Sequence, residues 1–412
     1  MTRPADPAPA EFAPFEVQDG ELVVGGRQLG ALVAQVGQTP FYVHDSSRIR
    51  ARVAELRRAL PASLQLHYAM KANPLPPLVA LMAGLVDGID VASGGELTVA
   101  LAAGGRPAGI SFAGPGKRDA ELQQAVAAGV LVNVESAREL PVLAAASQAL
   151  GLPARVAVRI NPDFELKGSG MKMGGGPKPF GVDAEQVPAL LQRIGHLGLA
   201  FEGFHLYAGS QTLKAAALVQ AQTQGYELAR RLAQHAPSPL RHLNLGGGFG
   251  IPYFPGDQRL DLAPVADNLQ ALCERAQHDW PQSHLVLELG RYLVGEAGIY
   301  VTRVTDRKVS RGQVFLVCDG GLHHHLAASG NFGQVLRRNY PVAIGNRMGA
   351  APTERASVVG PLCTPLDLLA DRVALPAAQE GDWVVVFQSG AYGLSASPQG
   401  FLAQPGCAEL LV

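Results

Sequence analysis

The sequence predicts an α/β protein, a (β/α)8 TIM barrel followed by an all-β domain, and three observations carry the prediction. Eight short apolar runs alternate with amphipathic Ala/Leu-rich stretches over about 240 residues, the spacing and size of a closed barrel of parallel strands. After Arg291 the texture changes to β-rich segments broken by Gly and Pro. The polar residues that interrupt the apolar runs fall mostly at their C-terminal ends, where a barrel of this kind keeps its active site.

The eight runs are 64-LQLHYAM-70, 88-GIDVAS-93, 110-ISFAG-114, 130-VLVNVE-135, 155-RVAVRIN-161, 199-LAFEGFHLY-207, 241-RHLNLGG-247 and 284-HLVLELG-290, with helical patterns such as 118-RDAELQQAVAAG-129 between them. A doubly wound open sheet would place a Gly-rich turn after the first strand, but that turn reads KANPLPP. Residues 1–13, Pro/Ala-rich, read as a disordered tail. Residues 14–45 (ELVVGG, PFYVHD) read as strands packing with the β domain, 46–290 as the barrel and 291–412 as the β domain. In the latter, 299-IYVTRVTDRKV-309, 313-QVFLVCDG-320 and 382-DWVVVFQSGAY-392 are the clearest strand segments. The Gly-rich stretch 161–181, with three lysines, fits either a lid over a barrel mouth or a plain surface loop.

Composition excludes several classes. The 412 residues carry 34 Lys+Arg against 35 Asp+Glu, a net charge of −1, so the cationic footprint of a nucleic-acid or membrane-surface binder is missing. No apolar run approaches the roughly 20 residues that span a bilayer, and the N-terminus shows no export signal. The four cysteines, Cys273, Cys318, Cys363 and Cys407, are too scattered for a disulfide scaffold or a zinc site. A reducing, cytoplasmic compartment is expected.

The chemistry-bearing residues sit at the strand ends. Lys71 closes an apolar strand, where a desolvated amine with a lowered pKa can attack a carbonyl. Gly246, Gly247 and Gly248 follow the seventh strand, and a glycine run there lets backbone N–H groups approach an anion, although tight-turn usage is commoner. Glu288 suits a cofactor ring nitrogen, and Arg291 suits a phosphate or carboxylate. A Schiff-base lysine, a phosphate nest and a carboxylate for a pyridine nitrogen are the fittings that pyridoxal 5'-phosphate needs.

The motifs HYAMKANP, DVASGGEL, VRINP, HLYAGSQ, LGGGFG, ELGR, GPLC and SGAY occur in the order of the fold type III pyridoxal-phosphate decarboxylases, the diaminopimelate, ornithine and arginine decarboxylases. The chain resembles this family over about residues 40–400. The resemblance implies an alanine-racemase-like barrel with a β domain, and α-decarboxylation through a Schiff base and a quinonoid. It implies that Lys71 bonds the cofactor, that His205 stacks on its ring, and that Glu288 keeps the pyridine nitrogen protonated. Ser210, Gly247, Gly248, Gly290, Arg291 and Tyr392 would hold the phosphate end, with Asp90, Glu96 and Arg159 in support. Cys363 would reach the partner's site in a homodimer and reprotonate the α-carbon, with Asp319 also in trans near the substrate. Taken alone, Cys363 reads as a buried apolar thiol.

Two departures bear on the substrate. Leu289 replaces the proline of the usual EPGR, which affects turn rigidity more than chemistry. Thr364 stands where relatives acting on diaminopimelate or ornithine place an acidic residue, so a charge-assisted hydrogen bond of about 1.5–3 kcal/mol to a distal ammonium is lost. The stretch 323-HHHLAASGNFGQ-334 is similar to the subgroup of decarboxylases associated with acyl carrier proteins and exosortases. His323, His324 and His325 are expected on a strand, where they alternate faces and cannot converge on one metal ion, so no metal is expected. They read instead as replacements for substrate-contacting residues, with His323 and Thr364 expected at the substrate and Arg337 and Arg338 available to an acidic carrier. The expected substrate is an amino acid, free or tethered to a carrier protein. The alternatives are diaminopimelate decarboxylase itself, a racemase, or a non-catalytic regulator of the antizyme-inhibitor kind.

Overall fold

A computed structural model describes residues 14–164, 171–172, 174–334 and 336–412. The tail at 1–13 and residues 165–170 and 173 of the Gly-rich stretch lie outside the described residues. Backbone contacts divide the chain into two compact units. One comprises Arg52–Gly250 and Leu260–Gly290; the other comprises the N-terminal segment up to Ala51, Ile251–Arg259 and Arg291–Val412. Residues 46–51 and 251–259 thus group with the second unit rather than with the stretch 46–290 expected for the barrel.

The first unit is a closed barrel of eight parallel strands: β1 (Gln65–Ala69), β2 (Gly88–Val91), β3 (Ile110–Phe112), β4 (Leu131–Val134), β5 (Arg155–Asn161), β6 (Ala200–Leu206), β7 (His242–Gly247) and β8 (His284–Leu289). β8 pairs back onto β1, Val286–Leu289 against Gln65–Tyr68, which closes the ring. All eight runs read from the sequence are these strands. Every residue of β2, β3 and β4 is buried, as expected of parallel strands enclosed on both faces.

Helices follow the strands with legible start and stop signals. Ser93 caps the helix Gly94–Ala102: its hydroxyl accepts from the Glu96 N–H at 3.1 Å, and the Glu96 carboxylate accepts from the Ala92 N–H at 2.6 Å. This reciprocal bonding satisfies two otherwise orphaned donors. The helix Asp119–Ala128 turns Leu122, Ala125 and Val126 inward at the i, i+3, i+4 spacing and stops at Gly129, whose φ of +70° suits glycine.

The second unit holds a sheet of β9 (Gly298–Ser310), β10 (Gln313–Cys318), β11 (Val342–Ile344), β12 (Glu354–Val359), β13 (Leu368–Leu375) and β14 (Trp383–Val386), in the order β11-β14-β9-β10-β12-β13. The N-terminal strand Phe41–His44 pairs antiparallel with Gly298–Val301. Leu22, Val24, Leu29, Leu32, Phe41, Val43, Ile299, Val301, Val385 and Phe387 form its core. Among the described residues no helix is long and apolar enough to cross a membrane.

The triple histidine is not on a strand. β10 ends at Cys318, and His323–His325 lie in turns in which the N–H groups of His324 and His325 both donate to the Gly321 carbonyl at 3.0 Å. Strand alternation therefore does not separate their rings: the His323 and His324 ring centres are 3.8 Å apart. Among the described residues no group of His, Cys, Asp or Glu is arranged to hold a metal.

Candidate active site

The C-terminal ends of the barrel strands bring most of the expected residues together. Lys71 sits in the turn Met70–Ala72 directly after β1. Its Nζ is 3.9 Å from Glu288 Oε1 and 5.2 Å from the centre of the Tyr207 ring, with the side chain 40% exposed. An amine placed so is open to a ligand on one side and electrostatically held on the other. Gly290, past the end of β8, permits this approach of strands, since a Cβ there would lie 2.9 Å from the Ala72 Cβ.

Glu288 is buried on β8. Its Oε2 accepts from His205 Nε2 at 3.1 Å and from Asn244 Nδ2 at 3.5 Å. Burial pushes this carboxyl up, but the His205 bond and the charges of Lys71 and Arg159 outweigh it and bring its pKa down to about 2. The result is a buried carboxylate that stays ionised, as an acceptor for a cationic ring N–H must. His205, expected to stack on a ring, commits Nε2 to Glu288, while its buried Nδ1 has no hydrogen-bond partner among the described residues.

The turn after β7 lies against the loop after β6. A Cβ on Gly247 would come within 2.0 Å of the Glu288 carbonyl oxygen, and one on Gly248, where φ is +77°, within 2.3 Å of the Gly209 carbonyl oxygen. The Thr212 N–H donates to the Gly248 carbonyl, and the Gly250 N–H donates to that of Thr212, both at 2.9 Å. Beside this cradle the hydroxyls of Ser210 and Thr212 are buried and have no partner among the described residues. Unpartnered donors next to a turn that only glycine can form are the chemistry a phosphate satisfies.

Asp90, on β2, accepts from His67 Nδ1 at 3.0 Å and from Ser111 Oγ on its Oδ1, leaving Oδ2 buried with no partner among the described residues. Arg159, at the end of β5, pairs with Glu135 at 3.0 Å and lies over Phe180. Glu135 also accepts from the Gly114 and Gly181 N–H groups, so one carboxylate ties three strand-end segments. Burial raises the Glu96 pKa, and Lys71 is among the groups that oppose the rise.

The remaining expected residues belong to the β unit. Arg291 donates to the Tyr253 hydroxyl at 2.8 Å, and its guanidinium stacks 4.6 Å from the Tyr392 ring centre. Tyr392 holds a φ of +54°, a strained value for a non-glycine residue and one that clusters at functional sites. Cys363 is exposed on the loop between β12 and β13, against its reading as a buried thiol. That loop is fixed by Asp367, whose oxygens accept from the Leu362 N–H at 2.8 Å and the Leu322 N–H at 2.7 Å. Thr364 Oγ1 accepts only a long 3.3 Å bond from the Leu366 N–H.

The other expected residues of this unit are held in several ways. The Asp319 carboxylate is occupied by Thr39, by the Thr302 hydroxyl at 2.7 Å and by the Arg303 N–H at 2.9 Å, which makes it a clasp between strands. His323 has no exposed surface within the subunit, and both its ring nitrogens lack partners among the described residues. His324 and His325 are engaged by the Pro405 carbonyl at 2.9 Å and the Ser389 hydroxyl at 2.8 Å. Arg337 bonds the Leu368 carbonyl, and Arg338 lies 3.9 Å over Phe254 and 3.8 Å from Asp257, so neither is a free cation. Tyr207, Asn244, His67 and Tyr253 join the site without a motif of their own in the sequence. A polar residue inside an apolar strand, as in LHYAM and LNLGG, was the available signal for two of them.

The model of the pyridoxal-dependent decarboxylases, pyridoxal binding domain, matches residues 46–295, and the chain belongs to this family. It is a pyridoxal-phosphate-dependent carboxy-lyase. It is 38% identical over 91% of its length, and 89% of the relative's, to the L-glutamyl-[BtrI acyl-carrier protein] decarboxylase of Niallia circulans. It is 35% identical to the diaminopimelate decarboxylase of Aquifex aeolicus, over 98% of this chain and 93% of that one. Its fold matches the diaminopimelate decarboxylase of M. jannaschii, solved with L-lysine, with a TM-score of 0.86 at 26% identity, covering 96% and 92% of the two chains.

Proposed function

We propose that this decarboxylase removes the α-carboxylate of an amino acid whose distal end is not a free ammonium, a glutamyl group carried on an acyl carrier protein being the best fit. The observation that carries the substrate is Thr364: a neutral hydroxyl follows Cys363 where a cationic substrate end would call for an acid. The similarity to the glutamyl-carrier decarboxylase supports the same substrate. Diaminopimelate is the second reading, favoured by the relative that is 35% identical.

The roles follow from the chain's own groups. Lys71 supplies the amine that ties the cofactor down, and Glu288, ionised, accepts the pyridine N–H, with His205 and Asn244 fixing its direction. The cradle of Gly247, Gly248 and Ser210 suits the phosphate, with Arg291 and Tyr392 as further phosphate and substrate groups. Pyridoxal phosphate, when bound, supplies the electron sink for the pair released as CO2 leaves. Asp90 and Arg159 hold charge around that centre. Cys363 Sγ, exposed on its anchored loop, delivers a proton to the α-carbon across a homodimer in which the β domain, 291–412, completes the partner's barrel, 46–290.

Lys71→Ala tests the assignment. The variant is expected to lose the visible cofactor band and to release CO2 at less than about a thousandth of the normal rate; full activity would sink it.

A further inference from the structure

His67 is a buried imidazole in the barrel that the roles above do not use. It lies on β1, four residues before Lys71, paired in register with Glu288 of β8 on one side and with Gly88 of β2 on the other. Paired residues of neighbouring parallel strands point to the same face of the sheet, so His67 and Glu288 share the barrel interior. Gly88 leaves the room for the ring: a Cβ there would lie 2.4 Å from His67 Nε2. From that seat Nδ1 reaches Asp90 Oδ1 at 3.0 Å. Asp90 in turn accepts from Ser111, and Ser111 from Asn133 Nδ2 at 3.2 Å, so the chain of bonds crosses β1 to β4.

We propose that His67 is a positioning residue for the cofactor site: seated against Gly88 beside Glu288, it donates to Asp90 and fixes that carboxylate. This rests on the cofactor roles proposed above for Asp90 and Glu288. The free Oδ2 of Asp90 supports it, because a buried carboxylate oxygen without a partner keeps a fixed direction only if its other oxygen is anchored. The groups facing His67 are Asp90 on β2, Asp87 before β2, Glu288 on β8 and His242 on β7, whose ring centre is 6.2 Å away. Burial opposes a cation in this place, yet Asp90, Glu288 and Asp87 outweigh it and raise the His67 pKa. His242 goes the other way, lowered by burial first and then by His67.

The test uses the holoenzyme and its cofactor-stripped form. His67→Phe keeps a ring and removes the donor; the cofactor Kd, read by titration of the visible band, is expected to rise about tenfold or more, and the pH midpoint of that band to shift. His67→Asn, which keeps a donor without charge, is expected to recover part of the affinity but not the midpoint. A Phe variant with wild-type affinity and midpoint overturns the proposal. If that variant does not fold, the imidazole resonance of His67 in the stripped wild-type protein decides. It is expected to titrate above the ordinary value of about 6.5 and to fall in Asp90→Asn, whereas a ring already neutral below that value overturns the proposal. Wild-type protein that takes up no pyridoxal phosphate at all would instead refute the function proposed above, and the imidazole titration would still stand on its own.

Discussion

Replacing Glu288 by Gln isolates the energy held in the buried carboxylate. Its partners hold it well below the ordinary 4.5, towards about 2, on the order of 3 kcal/mol in favour of the ionised form. Because the folded pKa is the lower one, this stability is fully present above pH 4.5 and is lost as pH falls towards 2. At pH 3 about 2 kcal/mol of it is gone. Urea unfolding of the stripped protein at pH 6 and pH 3 is the assay. The loss of stability between the two pH values should be smaller in Glu288→Gln by about 2 kcal/mol, because the amide does not titrate while the other carboxyls remain. Equal pH dependence in the two proteins would show that His205, Lys71 and Arg159 do not hold the charge, and the electrostatic account of the site would fail.

Other substitutions separate the parts of the site. Gly248→Ala pushes a Cβ to 2.3 Å from the Gly209 carbonyl oxygen at a φ of +77°, and is expected to cost about 1–3 kcal/mol and to weaken cofactor binding, read by thermal melting and by the visible band. Cys363→Ala, at an exposed position, is expected to leave stability within about 0.5 kcal/mol while slowing product formation; an unimpaired rate would remove Cys363 from the proton step. Thr364→Asp is expected to improve kcat/KM for a substrate with a distal ammonium by about tenfold or more, measured against a neutral-ended substrate in the same protein.

The barrel was legible because its strands are enclosed on both faces and so read as largely apolar runs, several of them ended by a polar residue. Lys71, Glu288 and the glycines could be placed from that pattern alone, since strand ends and active-site ends coincide. The β unit was less legible. Glu354–Val359 and Leu368–Leu375 have one face exposed in part, which breaks the apolar run that marks a strand. The turn at His323–His325 is set by Gly321 and Asp367, residues that meet only in the fold. Residues 251–259 group with the β unit, where the Tyr253 and Tyr340 rings are 4.6 Å apart, a contact with no local signature. The same holds for His67 and Gly88, whose fit is a property of two adjacent strands.

The central claim concerns the substrate, and product mass spectrometry tests it most directly. Cofactor-loaded protein would be given meso-diaminopimelate in one reaction and an L-glutamyl group bound as a thioester to an acyl carrier protein in another. The account predicts a mass loss of CO2 from the carrier-bound glutamyl group and no lysine from diaminopimelate. Lysine formed at an ordinary enzymatic rate, of order 1–10³ s⁻¹, with the carrier-bound group untouched, would contradict it.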